Sequence, residues 1–148
     1  MESRVLGNIL RVGRCCQLYR KRALGDTDLR PGQHLFISHI CLRPGLAQEE
    51  LIGELYLDKT TVAHQLMKLE QQGYIRREAP AEDGRCRRVY PTEKALAVYP
   101  RVRQTFREFT EGILEGLGEE DLAELERLMA LLRQNALRLT EDRGEGEK

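Results

Sequence analysis

The sequence has no tryptophan, and aromatic side chains make up only 5% of its 148 residues. Its charges balance, because 24 basic side chains are matched by 24 acidic ones. It has no run of the roughly 18 apolar residues needed to cross a bilayer. The opening residues, MESRVLGNIL, contain no cleavable apolar segment. These absences argue against a membrane or secreted protein, and we expect a cytoplasmic protein without a membrane partner.

Cysteine is scarce as well, and Cys15, Cys16, Cys41 and Cys86 form no CxxC pair. Without a secretory signal, an even number of cysteines does not indicate disulfides, so we expect free thiols. A length of 148 residues with 41% hydrophobic content predicts one domain, residues 1–148, with its own core. Nothing in the sequence predicts a cofactor or a metal site.

The zero net charge hides an uneven distribution along the chain. Residues 1–30 carry seven basic against three acidic side chains, or +4, whereas residues 108–148 carry five against twelve, or −7. This asymmetry is typical of a protein that presents one positive face to a polyanion, although an acidic tail such as EDRGEGEK contributes to it.

Apolar periodicity and helix breakers predict a mainly helical chain. A stripe at spacings of three and four indicates a first helix of about 20 residues: Val5, Ile9, Val12, Cys16 and Tyr19. This helix is predicted to end near Gly25. Pro31 and the Pro44-Gly45 pair bracket a short apolar helix, and AQEELIGEL predicts a two-turn helix after it.

The segment DKTTVAHQLMKLEQQGYI predicts a helix with two contrasting faces. Asp58 is a good N-cap and Gly73 a good C-terminal stop, and Val62, Leu66 and Leu69 form the buried stripe. The residues outside this buried stripe are the candidates for DNA contact, and they carry hydrogen-bonding groups but no carboxylate: Lys59, Thr60, Thr61, His64, Gln65 and Lys68. Such a face suits base edges and phosphates, whereas a merely solvated face is the alternative if the helix is considered alone.

A basic hairpin follows this helix. YIRRE and RCRRVYP predict two short strands around APAEDG, whose Asp83-Gly84 pair is a strong turn signal. Helix, helix and hairpin together predict a winged helix-turn-helix lobe over residues 31–91. The arginines expected near phosphates and the minor groove are Arg76, Arg77, Arg85, Arg87 and Arg88. We expect two or three of these five only to meet solvent or to pair with Glu78 and Glu82.

From Thr92 the chain is predicted to be helical again, with a kink at Pro100 and a last helix beginning near Gly118. The last helix has an apolar stripe that a small monomer has few ways to cover: Leu122, Leu125, Met129, Leu132, Ala136 and Leu139. We therefore expect residues 1–25 and 93–140 to be dimerisation helices and residues 141–148 to be a disordered acidic tail. Packing within the chain is the alternative, more for the first helix than for the last.

From about Val5 to Leu139, the order of elements resembles that of the MarR family of bacterial transcriptional regulators. LRPGQHLFISHICLRPGLAQEELIGEL is similar to the family's second and third helices, DKTTVAHQLMKLEQQGYIRRE to its recognition helix and first wing strand, and LGEEDLAELERLMALL to its last helix. The family's wing pattern is Asp, any residue, Arg, five residues, Leu-Thr. Asp83, Arg85 and Thr92 meet it, with Pro91 in the place of the leucine.

The resemblance implies an obligate homodimer that binds near-palindromic double-stranded DNA and represses transcription until a small-molecule effector releases it. Asp83 would hold the shape of the wing, and Arg85 would enter the minor groove. The family's effector pocket lies between the dimer helices and the DNA-binding lobe, and its candidate lining residues here are His34, His39, Cys15 and Tyr19.

The cysteines and histidines of the first two helices can each be explained in more than one way. RCCQLY resembles a segment of the organic-peroxide-sensing OhrR branch, with Cys15 in the place of the reactive cysteine, so redox sensing is an alternative to a small-molecule effector. A packing role explains the cysteines more simply. Partly buried, hydrogen-bonded side chains likewise explain His34 and His39, which are too poorly aligned on a helix for a metal pair.

Two other functional classes remain open. A winged-helix module used only for protein contacts would not need the basic wing. A thiol enzyme would need a base or an oxyanion site near its cysteines, and the sequence offers neither. We therefore expect a DNA-binding regulator and not an enzyme.

Overall fold

Within residues 2–79 and 87–144, which a computed structural model describes, the chain forms six α-helices and three short strands. In chain order they are α1 (Glu2–Ala23), α2 (His34–Leu42), β1 (Leu46–Ala47), α3 (Gln48–Leu55), α4 (Lys59–Gln71), β2 (Ile75–Glu78), β3 (Arg88–Pro91), α5 (Glu93–Ile113) and α6 (Glu119–Gly144). A 3₁₀ turn, Pro31–Gln33, leads into α2. The predicted fold class, mainly α with a small β-hairpin wing, is confirmed.

Helix boundaries follow local signals in the sequence. The carboxylate of Asp58 caps α4 by accepting a hydrogen bond from the backbone nitrogen of Thr61 at 2.8 Å. Gly73 follows that helix with φ +80°, a conformation that glycine adopts without strain. The hydroxyl of Thr92 accepts a backbone N–H in the first turn of α5. As predicted, α5 continues through Pro100 instead of ending there.

The three strands form one antiparallel sheet in the order β1, β3, β2. Ile75 pairs with Pro91 in the hairpin, and Leu46 pairs with Val89 on the other side of β3. The sequence does not predict β1, because two residues are too short to show an alternating pattern. β1 places the chain just before α3 against the base of the wing.

The core lies among α2, α3, α4, the sheet and the first half of α5. Its buried apolar side chains are Leu24, Leu29, Phe36, Ile37, Ile40, Leu46, Leu51, Val62, Leu66, Leu69, Tyr74, Ile75, Val89, Ala95 and Val102. The predicted inward stripe of α4 is confirmed, since all three of its members are fully buried. This burial fixes which side of α4 is left outside.

The chain divides into two compact units, Met1–Phe109 and Thr110–Lys148. The core belongs to the first. In the second, no side chain described from position 110 to position 141 is buried. Large apolar residues of α6 are instead 39–63% exposed: Leu125, Leu128, Met129, Leu131, Leu132 and Leu139. The stripe of α6 is therefore not buried by packing within its own unit.

The first helix shows a similar exposed stripe. Val5, Ile9, Val12 and Tyr19 are between 39% and 51% exposed. α6 runs to Gly144, beyond residue 140, where we expected the dimerisation helix to end. The rest of the predicted tail lies outside the described residues. None of the helices in the described ranges has the length and apolar content required to cross a membrane.

Candidate nucleic-acid interface

α4 presents a polar surface on the side opposite its buried stripe. Lys59, Thr60 and His64 are exposed, and Gln65 and Lys68 are half-buried at its margins. No acidic residue occurs between positions 59 and 68. A helix face that offers donors without carboxylates can approach phosphates and base edges without charge repulsion.

Two features of this face are not evident from helical periodicity alone. The hydroxyl of Thr61 donates to Asp58 Oδ2 at 2.6 Å, so it takes part in the N-cap. Met67 is 42% exposed and Gln71 is also exposed, both on the same side as His64. Met67 adds an exposed apolar side chain to this side of α4.

The described arginines of the wing differ in how firmly they are held. Arg76 pairs with Glu78, and its guanidinium carbon lies 4.7 Å from the centre of the Tyr90 ring. Arg88 Nη1 donates to a backbone carbonyl between α2 and β1 at 2.9 Å. Arg87 is exposed just before β3. Arg87 is therefore the described wing arginine with the freest approach to a polyanion.

Arg77 joins the wing to α4. Its guanidinium donates two hydrogen bonds to Glu70, at 3.1 and 3.0 Å. These bonds hold the pKa of Glu70 below its usual range, and the charge of Arg87 adds a smaller effect. The pair fixes β2 against the end of α4. Asp83 and Arg85 lie outside the described residues, so their roles in the wing remain predictions.

A polar network supports the C-terminal end of α4. The carboxylate of Asp28 accepts hydrogen bonds from the Tyr74 hydroxyl and from Lys94 Nζ, the latter at 3.1 Å. Lys94 Nζ also donates to the carbonyl of Gln72 at 2.7 Å. Gln72 in turn accepts from Gln33 Nε2 at 2.8 Å. The end of α4 is thus tied both to the segment before α2 and to the start of α5.

Two cavities in the Met1–Phe109 unit share Leu35 and Phe106 in their walls. The first, of about 340 Å³, is otherwise lined by Ser38, His39, Leu42, Tyr99 and Arg103. The second, of about 500 Å³, is otherwise lined by Ile9, Leu10, Gly13, Arg14, Cys16, Gln17 and Arg20. Neither wall contains a carboxylate, whereas three arginines contribute to the two walls. Positive charge therefore predominates in both walls.

Of the four residues predicted to line an effector pocket, the first cavity includes only His39. Its Nδ1 donates to the carbonyl of Leu35 at 2.8 Å, as expected for a partly buried histidine. Tyr19 and Cys15 lie on α1 outside both walls, and the Tyr19 hydroxyl donates to Glu108 at 3.2 Å.

The fourth, His34, lies in the core without the hydrogen bond we expected. It is fully buried, and neither ring nitrogen makes a hydrogen bond of normal geometry to a described residue, although the backbone of Leu29 lies close enough to raise the pKa of His34 slightly. Burial, together with the nearby charge of Arg20, lowers the pKa of His34 to about 4. Arg20 is only 5% exposed. Its guanidinium carbon lies 4.9 Å from the centre of the Phe106 ring, and its Nη1 is unpaired within the described part of the chain.

The cysteines differ in exposure and therefore in reactivity. Burial raises the pKa of Cys41 to about 11, which makes its thiolate scarce at neutral pH and the side chain inert. Cys16 is half-buried and Cys15 is exposed. Cys86 lies outside the described residues. Of the described cysteines, Cys15 is the one that an oxidant reaches most easily.

The sequence profile of the MarR family matches residues 27–85, which run from the segment before α2 into the wing. The uncharacterized HTH-type transcriptional regulator YybA of Bacillus subtilis (strain 168) is 34% identical over 110 residues, which cover 74% of this chain and 73% of that protein. The chain belongs to the MarR family. The resemblance inferred from its helices and wing is thereby confirmed.

Solved structures extend the MarR likeness to most of the fold. The crystal structure of the transcriptional regulator SlyA matches with a TM-score of 0.85 and 29% identity, covering 89% of this chain and 93% of that one. Streptococcus pneumoniae FabT in complex with DNA matches with a TM-score of 0.78 and 21% identity, covering 94% and 99%. Because the sequence identity to FabT is only 21%, this match shows a shared fold and no more.

Proposed function

We propose that this MarR-family protein is a cytoplasmic regulator of transcription that binds double-stranded DNA in a sequence-specific manner. The observation that carries the proposal is the exposed face of α4, which lacks carboxylates and is fixed beside the basic wing by the pair of Glu70 and Arg77. α4 would lie in the major groove, and the wing arginines would contact the flanking phosphates. This is a binding function and requires no catalytic group.

The regulator is a homodimer in this proposal. Contiguous apolar surface of the extent seen on α1 and α6 is uncommon on monomeric proteins. A second copy would cover both stripes, because a two-fold interface places the same surface of each subunit in contact. Two DNA-binding lobes related by two-fold symmetry require a near-palindromic operator, with half-sites about one helical turn apart.

A small anion is the effector that the two cavities favour. Arg20 and Arg103 supply positive charge, Tyr99 and Phe106 supply aromatic surface, and no carboxylate opposes a negative ligand. The first cavity, which Arg103 lines, is walled by α2 and α5, so its occupation would shift α2 of the DNA-binding lobe relative to α5. We therefore propose a repressor that releases DNA when an aromatic carboxylate or a similar anion binds.

The helix α4 is expected to read bases at its centre and phosphates at its margin. His64→Ala should weaken binding to an operator selected from a random pool by about 1–3 kcal/mol, and it should have little effect on an unrelated duplex. Lys68→Ala should weaken binding to both duplexes alike, because a phosphate contact carries no sequence information. Equilibrium titrations with fluorescent duplexes measure both effects.

Lys21→Ala is the matched control for this series, since it removes an exposed lysine from α1 instead of α4. It should leave both affinities nearly unchanged. Equal losses on operator and unrelated DNA for His64→Ala would show that α4 does not read bases. A native protein that binds no duplex at any salt concentration would favour a winged-helix module for protein contacts.

Release of DNA is expected to depend on anion binding and not on thiol oxidation. A panel of aromatic carboxylates should contain ligands that raise the melting temperature and release the operator, and Arg103→Met should lose both responses. An organic hydroperoxide should affect native protein and Cys15→Ser alike. If the hydroperoxide releases native protein but not Cys15→Ser, redox sensing is the correct alternative. If no carboxylate raises the melting temperature of native protein or releases its operator, the proposal of an anionic effector is wrong.

A further inference from the structure

The turn between α3 and α4 contains a tyrosine in a backbone conformation that tyrosine rarely adopts. Tyr56 ends α3 with φ 52° and ψ 40°, in the left-handed region. Among the described residues it is the only one other than glycine with a positive φ. Glycine usually occupies this position after a helix, because a Cβ atom there crowds the backbone.

The packing of the turn does not explain why a tyrosine stands there. Leu55 and Leu57, on either side, pack against the core. Tyr56 between them is 62% exposed, and its hydroxyl makes no hydrogen bond to any described residue. A glycine would allow the same turn with less strain. Residues with a strained backbone of this kind are concentrated at functional sites, where the side chain is kept because it is needed for function.

We propose that Tyr56 is a DNA-backbone contact, whose hydroxyl donates a hydrogen bond to a phosphate oxygen beside the groove that α4 enters. The inference rests on the proposed function. In a helix-turn-helix, the second helix enters the groove by its N-terminal end while the first helix crosses the backbone, so the intervening turn lies next to phosphates. Tyrosine hydroxyls are among the donors that proteins use there.

The charges around the turn permit this contact. Lys59 and Thr60, just beyond the turn, are exposed. The two carboxylates nearest in sequence are already engaged: Glu54 pairs with Arg43, and Asp58 caps α4. The charge of Glu54 is thereby offset by Arg43, whereas Asp58 keeps its negative charge and is held at the N-terminus of α4 by its hydrogen bonds to Thr61.

Two substitutions separate the hydroxyl from the backbone strain. Tyr56→Phe keeps the ring and the strain but removes the donor, so operator and unrelated duplex should both bind about twofold to tenfold more weakly for each phosphate hydrogen bond that the phenylalanine cannot make. Tyr56→Gly removes the side chain and relieves the strain, so it should raise the melting temperature while it also weakens DNA binding. A merely structural residue would not show these opposite changes.

Lys59→Ala provides the comparison for a charged contact. Tyr56→Phe should leave the salt dependence of binding unchanged because a phenol carries no charge, whereas Lys59→Ala should lower the slope by about one unit if Lys59 contacts a phosphate. If Tyr56→Gly binds DNA as tightly as the native protein, Tyr56 only ends a helix and the inference is wrong. If the native protein itself binds no duplex, the proposed function fails instead.

Discussion

Replacing Leu125 and Leu132 of α6 with glutamate is expected to convert a dimer into monomers and to weaken operator binding by about two to four orders of magnitude. Both leucines are about 40% exposed in the single chain, so a second subunit would bury apolar surface that one chain leaves in contact with water. Burial of a leucine contributes roughly 1.5–3 kcal/mol, and two substitutions remove four such side chains from a dimer. Loss of the linked second lobe accounts for the fall in DNA affinity.

The matched control places the same two charges on the opposite side of α6. Ala123→Glu with Gln134→Glu adds two glutamates at exposed positions away from the stripe, and this variant should remain dimeric. Sedimentation equilibrium at micromolar concentration measures the assembly state of both variants. A stable dimer in the Leu125→Glu, Leu132→Glu variant would place the subunit interface elsewhere.

Acidification is expected to destabilise the fold through His34 before it acts through the carboxylates. The pKa of His34 is about 4 in the folded chain, against an ordinary value of 6.5. Between these values the unfolded chain binds a proton that the folded chain does not. The free energy of unfolding should therefore fall as the pH drops from about 6.5 to 4, by about 3 kcal/mol. This source adds no further loss below pH 4.

Substitution of the histidine isolates this effect. His34→Leu should largely remove the dependence of unfolding on pH in that window, whereas His64→Asn, which removes an exposed histidine, should keep it. The carboxylates of Asp28 and Glu70 have lowered pKa values, so their contribution is lost at more acidic pH. Should His34→Leu fail to fold, NMR titration of native protein gives the same information. A His34 ring that protonates near pH 6.5 would contradict the prediction.

The elements that sequence predicts well are those governed by neighbouring residues. The spacing of Val62, Leu66 and Leu69 identifies the buried side of α4, and the caps at Asp58 and Gly73 identify its ends. Helical periodicity and capping act within a few residues, so the sequence displays both causes directly. The exposed side of α4 follows from the same periodicity.

Features set by distant partners are not predictable in this way. Arg77 resembles a DNA-contacting arginine in the sequence, but it is held by Glu70 of α4. Arg20 appears on an amphipathic helix as an ordinary surface residue, yet it is buried against Phe106, 86 positions away. Whether a charged side chain is buried depends on which helices pack together, and the local sequence pattern does not show this. The same holds for the burial of His34 in the core.

Footprinting of purified protein on the DNA that flanks its own gene tests the central claim most directly. We predict two protected half-sites related by two-fold symmetry, about one helical turn apart, with protection that weakens steeply as salt is added. An excess of unrelated duplex should not abolish this protection. Uniform protection without symmetry, or none at concentrations where the protein is folded and dimeric, would contradict the account of a sequence-specific dimeric regulator.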